Sequence, residues 1–175
     1  MRHLAKVKWN GLKDKIKSNR KVVDGDYLLH EIINWKRFFY SCKDVKSVSL
    51  YESYLSRFDE LDFSKFRFQN SWYDIDDLIE YDLLCVHEKT LEHIVINAGS
   101  LIWELIVYKS DRSCKNCDGD YLRVLVDKNR HVFFACDICS HVENLEGKKI
   151  SNQNKLYPIT PDIVNELSIS PAPTR

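Results

Sequence analysis

Two Cys-x-x-Cys pairs, Cys114-Lys115-Asn116-Cys117 and Cys136-Asp137-Ile138-Cys139, stand eighteen residues apart and constrain this 175-residue chain more than any other feature. A two-residue gap lets both sulfurs of one turn reach a common ion, and Zn²⁺ takes four thiolates tetrahedrally at about 2.3 Å. The interval between the pairs fits a four-cysteine zinc site. If Cys114, Cys117, Cys136 and Cys139 all ligate, no vertex is left for a substrate or an activated water, so a structural Zn²⁺ is expected rather than a catalytic one. Cys42 and Cys85 have no neighbour at ligand spacing and are expected to be small buried residues.

The residues before the first pair follow a helical period. After Asp24-Gly25-Asp26, Leu28, Leu29, Ile32, Ile33, Trp35, Phe38 and Phe39 fall on one helical face, with Asp26 placed to cap it. Ser49 and Glu52 have the spacing of a capping box, opening a helix expected to run to Leu61. Residues 71–85 form another amphipathic stretch, and Leu91, Ile94, Val95, Ala98, Leu101, Ile102, Leu105 and Ile106 give the clearest helical pattern of all. Gly99 within that pattern costs about 1 kcal/mol relative to alanine, which points to close approach of a neighbouring element. The first twenty residues fit a strand through Ala5, Val7 and Trp9 or a helix through Leu4, Leu12 and Ile16, and both remain open.

Near residue 110 the period changes from helical to alternating. Tyr121–Val126 and His131–Ala135 read as two strands joined by Asp127-Lys128-Asn129-Arg130, with a cysteine pair at each end of the hairpin. Beyond Gly147 the chain turns polar, offers one short helix with Thr160 as cap and Pro161 at its first position, and ends in a tail carrying Pro171 and Pro173. The expected fold is α+β: a mainly helical domain over 1–110, a β-hairpin metal module over 111–146, and a polar linker, short helix and frayed tail over 147–175.

Residues 112–145 resemble the zinc ribbon, in which two Cys-x-x-Cys knuckles are joined through a β-hairpin and a glycine often follows the first knuckle, as Gly119 does here. The resemblance implies a local fold and a metal, not a function. Many ribbons hold nucleic acid on basic residues of the hairpin. From 113 to 143, however, four bases (Lys115, Arg123, Lys128, Arg130) face five acids (Asp118, Asp120, Asp127, Asp137, Glu143), a poor surface for phosphate. His141, two residues past Cys139, could compete as a ligand, but four better-spaced sulfurs already fill the shell.

Charge balances at 26 against 26 over the whole chain but not along it. Residues 1–21 hold eight bases against Asp14, and residues 59–92 hold ten acids against Lys65, Arg67 and Lys89. Runs of this kind are most often solvated faces. His87 and His93 are six apart rather than the four that places two histidines on one ion, and no phosphate-cradling loop, nucleophile elbow or kinase signature is present. The chain is therefore expected to be no enzyme. Without an apolar run of signal or membrane-spanning length, it is expected to reside in the cytoplasm and to contact no membrane.

In size, composition and its acidic, aromatic middle, the chain is similar to the small immunity proteins of bacterial toxin systems such as contact-dependent growth inhibition. That likeness implies a protein partner, a cognate toxin, blocked by an acidic surface where the toxin is a nuclease. Asp74, Asp76 and Asp77, with Trp72 and Tyr73 as aromatic anchors, are the expected partner-binding residues. The alternative is a nucleic-acid-binding or transcription-associated zinc-ribbon protein using the basic arm and the hairpin.

Overall fold

A computed structural model describes residues 4–68, 74–117, 121–151 and 155–172. The chain is α+β, with helices first and an antiparallel sheet after them. It divides into two compact units, Met1–Ser64 with Ile75–Leu105, and Lys65–Asp74 with Ile106–Arg175.

In the first unit, α1 spans Leu4–Ser18 and buries Ala5, Trp9, Leu12 and Ile16. That spacing of four, three and four settles the N-terminal ambiguity for helix, because it sets all four side chains on one stripe. α2 spans Gly25–Ser41 and buries Leu28, Leu29, Ile32, Ile33, Trp35 and Phe39. Its cap is Asp24, whose carboxylate accepts the Tyr27 N–H at 2.7 Å, so the cap lies two residues before the expected Asp26. Trp9 meets Trp35 edge-on at 4.9 Å, Trp35 stacks on Phe39 at 5.2 Å, and the Trp35 indole N–H donates to the Ala5 carbonyl at 3.1 Å. These contacts pair α1 with α2 through rings whose one polar group is satisfied.

α3 covers Val45–Tyr54 and is capped by Asp44, which accepts the Ser47 N–H at 3.0 Å and its hydroxyl at 2.6 Å. The helix thus begins a turn before the Ser49–Glu52 box, and it gives way to a 3₁₀ turn at Ser56–Phe58 rather than reaching Leu61. The earlier start buries Ser47 and Tyr51. Lys36 then lies buried with its ammonium 2.7 Å from the Tyr51 hydroxyl and 2.5 Å from Asp59, a trio that ties α2, α3 and the following turn together.

α4 begins as one α turn, Ile75–Asp77, and continues as a π-helix over Leu78–Leu84 that buries Leu78, Ile79 and Leu83. The Cys85 N–H closes this segment on the Glu80 carbonyl at 2.9 Å, five residues back. Cys85 is exposed rather than buried, and its thiol lies 3.5 Å from the Glu80 carboxylate. α5, Leu91–Ile106, carries the core face the sequence marks, with Ile94, Val95, Ala98, Leu101, Ile102 and Leu105 all buried. A Cβ at Gly99 would lie 3.5 Å from the Tyr54 carbonyl oxygen and 3.6 Å from Leu55 Cδ2. Those distances are ordinary contact, so a methyl group fits and a longer side chain does not. Gly99→Ala is expected to stabilise by up to about 1 kcal/mol through helix propensity, and Gly99→Leu to destabilise. Urea midpoints of the two variants moving in the same direction would refute this packing.

The second unit is built on a five-stranded sheet. β1 (Tyr108–Ser113), β2 (Tyr121–Val126), β3 (Val132–Ala135) and β4 (Val142–Asn144) run antiparallel in that order, and β5 (Tyr157–Pro158) pairs with β2. The β2–β3 hairpin has the register Arg123↔Ala135, Leu125↔Phe133 and Val126↔Val132. Asp127 shapes its turn by accepting the N–H groups of Asn129 at 2.8 Å and His131 at 3.0 Å, while Arg130 takes a left-handed φ of 65°. The C-terminal stretch is tied down: the Tyr108 hydroxyl donates to the Ile169 carbonyl, Ala172 N–H to the Lys109 carbonyl, and Ile159, Val164 and Ala172 are buried. One apolar cluster joins Tyr108, Leu122, Val124, Phe134, Ile159 and Val164 to Cys114 and Cys136. α6, Pro161–Glu166, contributes Val164 to it. Among the described residues no helix is long and apolar enough to cross a membrane.

Candidate metal centre

Strand ends place the four cysteines. Cys114 directly follows β1 and Cys136 directly follows β3, so pairing of both strands with β2 brings the two knuckles to the same end of the sheet. The four sulfurs all lie within 4.8 Å of one another, and the cross-knuckle pairs Cys114–Cys139 and Cys117–Cys136 are each 3.6 Å apart. A disulfide would need about 2.05 Å. By contrast, the edge of a tetrahedron with metal–sulfur bonds of about 2.3 Å is about 3.8 Å. The cluster therefore has the dimensions of a four-thiolate shell and could hold a metal ion such as zinc. Cys114 and Cys136 are buried, and Cys117 and Cys139 are partly so.

The surroundings favour thiolates unevenly. The Asn116 side chain donates to the Cys139 sulfur, with the His141 backbone N–H as a further donor, and the Cys139 thiol is pulled down to about 6. Burial pushes the Cys114 thiol up instead. A cation at the centre reverses that penalty, since a bound metal keeps its thiols deprotonated.

The knuckles are held in place by ionic contacts. Asp137, inside the second knuckle, is bound by the Arg123 guanidinium and lies 3.9 Å from the Lys109 ammonium, both projecting from β-strands. Arg112 lies over the Phe134 ring at 4.1 Å, 3.9 Å from Glu143, and donates to the Leu145 carbonyl at 3.0 Å. Arg130 pairs with Glu166 at 2.9 Å, and Phe133 is buried. Arg123 and Arg130 of the hairpin thus already hold carboxylates within the unit.

The partner-binding residues expected from sequence fare differently. Trp72 and Tyr73 lie outside the described residues. Asp74, Asp76 and Asp77 are exposed, but Asp76 is bonded to Arg20 at 3.0 Å, and the division between the units falls between Asp74 and Asp76. Of the aromatics in this stretch, Phe58 and Phe66 are core, whereas Tyr81 is exposed.

Two bases of the N-terminal run find carboxylates of the acidic run within the first unit. Arg20 reaches Asp76, Lys13 reaches Glu88 at 2.9 Å, and Lys6 donates to the Glu88 and Lys89 carbonyls. Lys15 pairs with Glu31. Glu88 is the residue that sequence pattern gives no reason to single out. It lies in the connection before α5, and its side chain, 4% exposed, also accepts from the Trp9 indole and the Asn97 amide, each at 2.9 Å.

Fold and site together define an α+β chain whose second unit carries a four-cysteine centre able to take a metal ion. Compared with protein-family models, curated proteins and solved structures, the chain matches none of them.

Proposed function

We propose that this protein is a non-enzymatic protein-binding module whose second unit is fastened by a structural Zn²⁺, and that its partner is a toxin it neutralises. One observation supports the non-catalytic part: four sulfurs at tetrahedral spacing would saturate a bound ion, whereas a catalytic zinc keeps a vertex for water or substrate. Zinc is favoured over other ions by the all-thiolate donor set. Protein binding is favoured over nucleic acid because Lys13, Lys15 and Arg20 on the N-terminal arm, and Arg123 and Arg130 on the hairpin, already hold carboxylates. Phosphate would have to displace those contacts. That the partner is a toxin rests on the likeness in size and character to immunity proteins; exposed Asp77 and Tyr81 of the first unit would offer the acidic and aromatic contacts.

The test is co-expression with the product of the adjacent reading frame, followed by isolation of the complex. A stoichiometric complex that suppresses that product's toxicity, and whose dissociation constant rises at least tenfold on Asp77→Lys, is expected. A harmless neighbour that does not bind, together with affinity for duplex DNA falling steeply with salt, would sink the proposal.

A further inference from the structure

Gly11 stands in the middle of α1, where glycine is the poorest helix former after proline. A fold needs a glycine where a neighbour crowds the backbone or φ is positive. Neither holds here: a Cβ at Gly11 would meet nothing within 4 Å, and among the described glycines only Gly147 has a positive φ. Gly11 instead lines an open groove of 580 Å³ between α1 and α2. Leu12, Trp35 and Phe38 make that lining apolar, and Leu4 and Val7 add side chains left 58% and 48% exposed. From Leu4 to Lys15 the groove follows α1 for about 16 Å, three helical turns at 1.5 Å per residue.

Charge decides what fits such a groove. Lys6 and Lys13 are one pair of α1 lysines, Lys8 and Lys15 another, and the pairs are offset by two positions, about 200° around the helix. The first pair holds the connection before α5: Lys13 reaches Glu88, and Lys6 donates to the Glu88 and Lys89 carbonyls. The second pair lines the groove. Lys8 holds no carboxylate among the described residues, and its ammonium lies 5.5 Å from the centre of the Phe38 ring. Lys15 pairs with Glu31 at 2.9 Å yet keeps 48% of its side chain exposed, and an ammonium has three donors to share. Glu31 is the one acid in the lining, since Asp14 of α1 lines a different pocket with Lys13 and Lys17. Trp35 is buried and Lys8 lies over Phe38, so neither ring is open for a nucleic-acid base to stack on.

We infer that this groove seats an acidic amphipathic helix of a partner protein, laid along α1 across Gly11. A helix held in a groove presents apolar anchors at i, i+3, i+4 and i+7. Anchors at that spacing would cover Leu4, Val7 and Phe38, and carboxylates seven residues apart, about 10.5 Å, would match the axial separation of Lys8 and Lys15. The missing Cβ lets the two backbones approach between those lysines, the use glycine has wherever a backbone must come close. None of these residues is Asp77 or Tyr81, so the two binding surfaces can be lost independently.

The probe is a synthetic helical peptide of about 18 residues, five turns long, with leucine at the anchor positions and glutamate flanking them. Its control carries lysine in place of every glutamate. Titrated into the isotope-labelled full-length chain, the acidic peptide is expected to bind with a Kd of about 10–100 μM and to shift amide signals of α1 and α2 centred on Gly11. Gly11→Trp should keep the amide spectrum of a folded chain and weaken binding at least tenfold. Lys8→Glu and Val7→Asp, both at exposed positions, should each weaken it about three- to tenfold. Gly11→Ala should raise the urea midpoint, because the fold gains a better helix former and loses no contact. A lower midpoint for Gly11→Ala would overturn the inference, since the fold itself would then need the glycine. So would equal affinity in Lys8→Glu and Val7→Asp, tighter binding of the lysine control, or no binding of the acidic peptide at about 1 mM. A wild-type chain that sediments as a dimer while Gly11→Trp sediments as a monomer would assign the groove to a second copy instead.

Discussion

Stripping the metal with a chelator is expected to unfold the second unit, with loss of amide protection across β2 and β3. Cys114 and Cys136 are not appended to that unit's core but belong to it, packed with Leu122, Val124, Phe134 and Ile159. Without a cation, the site must either crowd thiolates within 4.8 Å of one another or bury protonated thiols with few partners. Metal binding in small zinc modules is worth about 10–16 kcal/mol of apparent free energy, as large as the whole stability of an ordinary domain at about 5–15 kcal/mol. The strands and the C-terminal stretch add apolar burial of their own, through Val126, Val132, Val164 and Ala172. That burial would leave a collapsed remnant, not the native register. Hydrogen exchange at Leu122–Val126 and Val132–Phe134 before and after chelation measures the effect, and zinc added back should restore protection. Cys136→Ser should reproduce the chelated state, losing partner binding only as a consequence of lost folding. Protection that survives chelation would show that the core stands without the ion. A Cys136→Ser chain that folds normally yet no longer binds its partner would give the metal a direct functional role.

Where local pattern dominates, sequence and structure agree closely. α5 is marked by eight apolar residues at helical spacing, and β2 falls on Tyr121–Val126 as alternation and turn residues require. The four metal-ligating candidates were equally legible, because ligand spacing within a knuckle is a local property. Helix starts were less so. Asp24 outcompetes Asp26, and Asp44 outcompetes Ser49, because several residues offer a capping oxygen and the choice depends on which turn packs; starting α3 at Val45 is what buries Ser47 and Tyr51. Least legible were contacts between distant residues. Nothing local connects Arg20 to Asp76, Lys36 to Asp59 or Arg123 to Asp137, so the charge runs look like solvated faces although they are partly fastenings. The polar C-terminal composition similarly hides Tyr157–Pro158, which depends on an edge of β2 that β1 leaves open.

Glu88→Ala should be the most damaging single substitution in the first unit, costing about 3–5 kcal/mol, the range for breaking a buried charge pair by removing one partner. Its carboxylate is the common acceptor for three groups from two helices: Trp9 and Lys13 of α1 and Asn97 of α5, each at 2.9 Å. Truncation leaves the fully buried Trp9 without its acceptor and the Lys13 ammonium with only the Val86 carbonyl at 2.7 Å. At about 2–4 °C per kcal/mol for a chain of this size, the midpoint should fall by on the order of 10 °C. Asp76→Asn is the matched control: its carboxylate also pairs with a base of the N-terminal run, Arg20, just beyond α1, but its side chain is 70% exposed, and such a pair is worth less than about 1 kcal/mol. Acidity separates the two further. Burial pushes the Glu88 carboxyl up, but the donors from Lys13, Asn97 and Trp9 outweigh it and hold the group below its ordinary value. A carboxyl whose folded value is depressed stabilises the protein above its unfolded value, about 4.3 for glutamate, and loses that contribution as pH falls through the folded value. Wild type should therefore lose stability more steeply than Glu88→Gln below about pH 4. Equal midpoint shifts for Glu88→Ala and Asp76→Asn, or parallel acid limbs for wild type and Glu88→Gln, would mean that α1 is held by its apolar stripe alone. The matched charge runs would then be incidental to the fold, and the basic arm would again be available to an acidic partner.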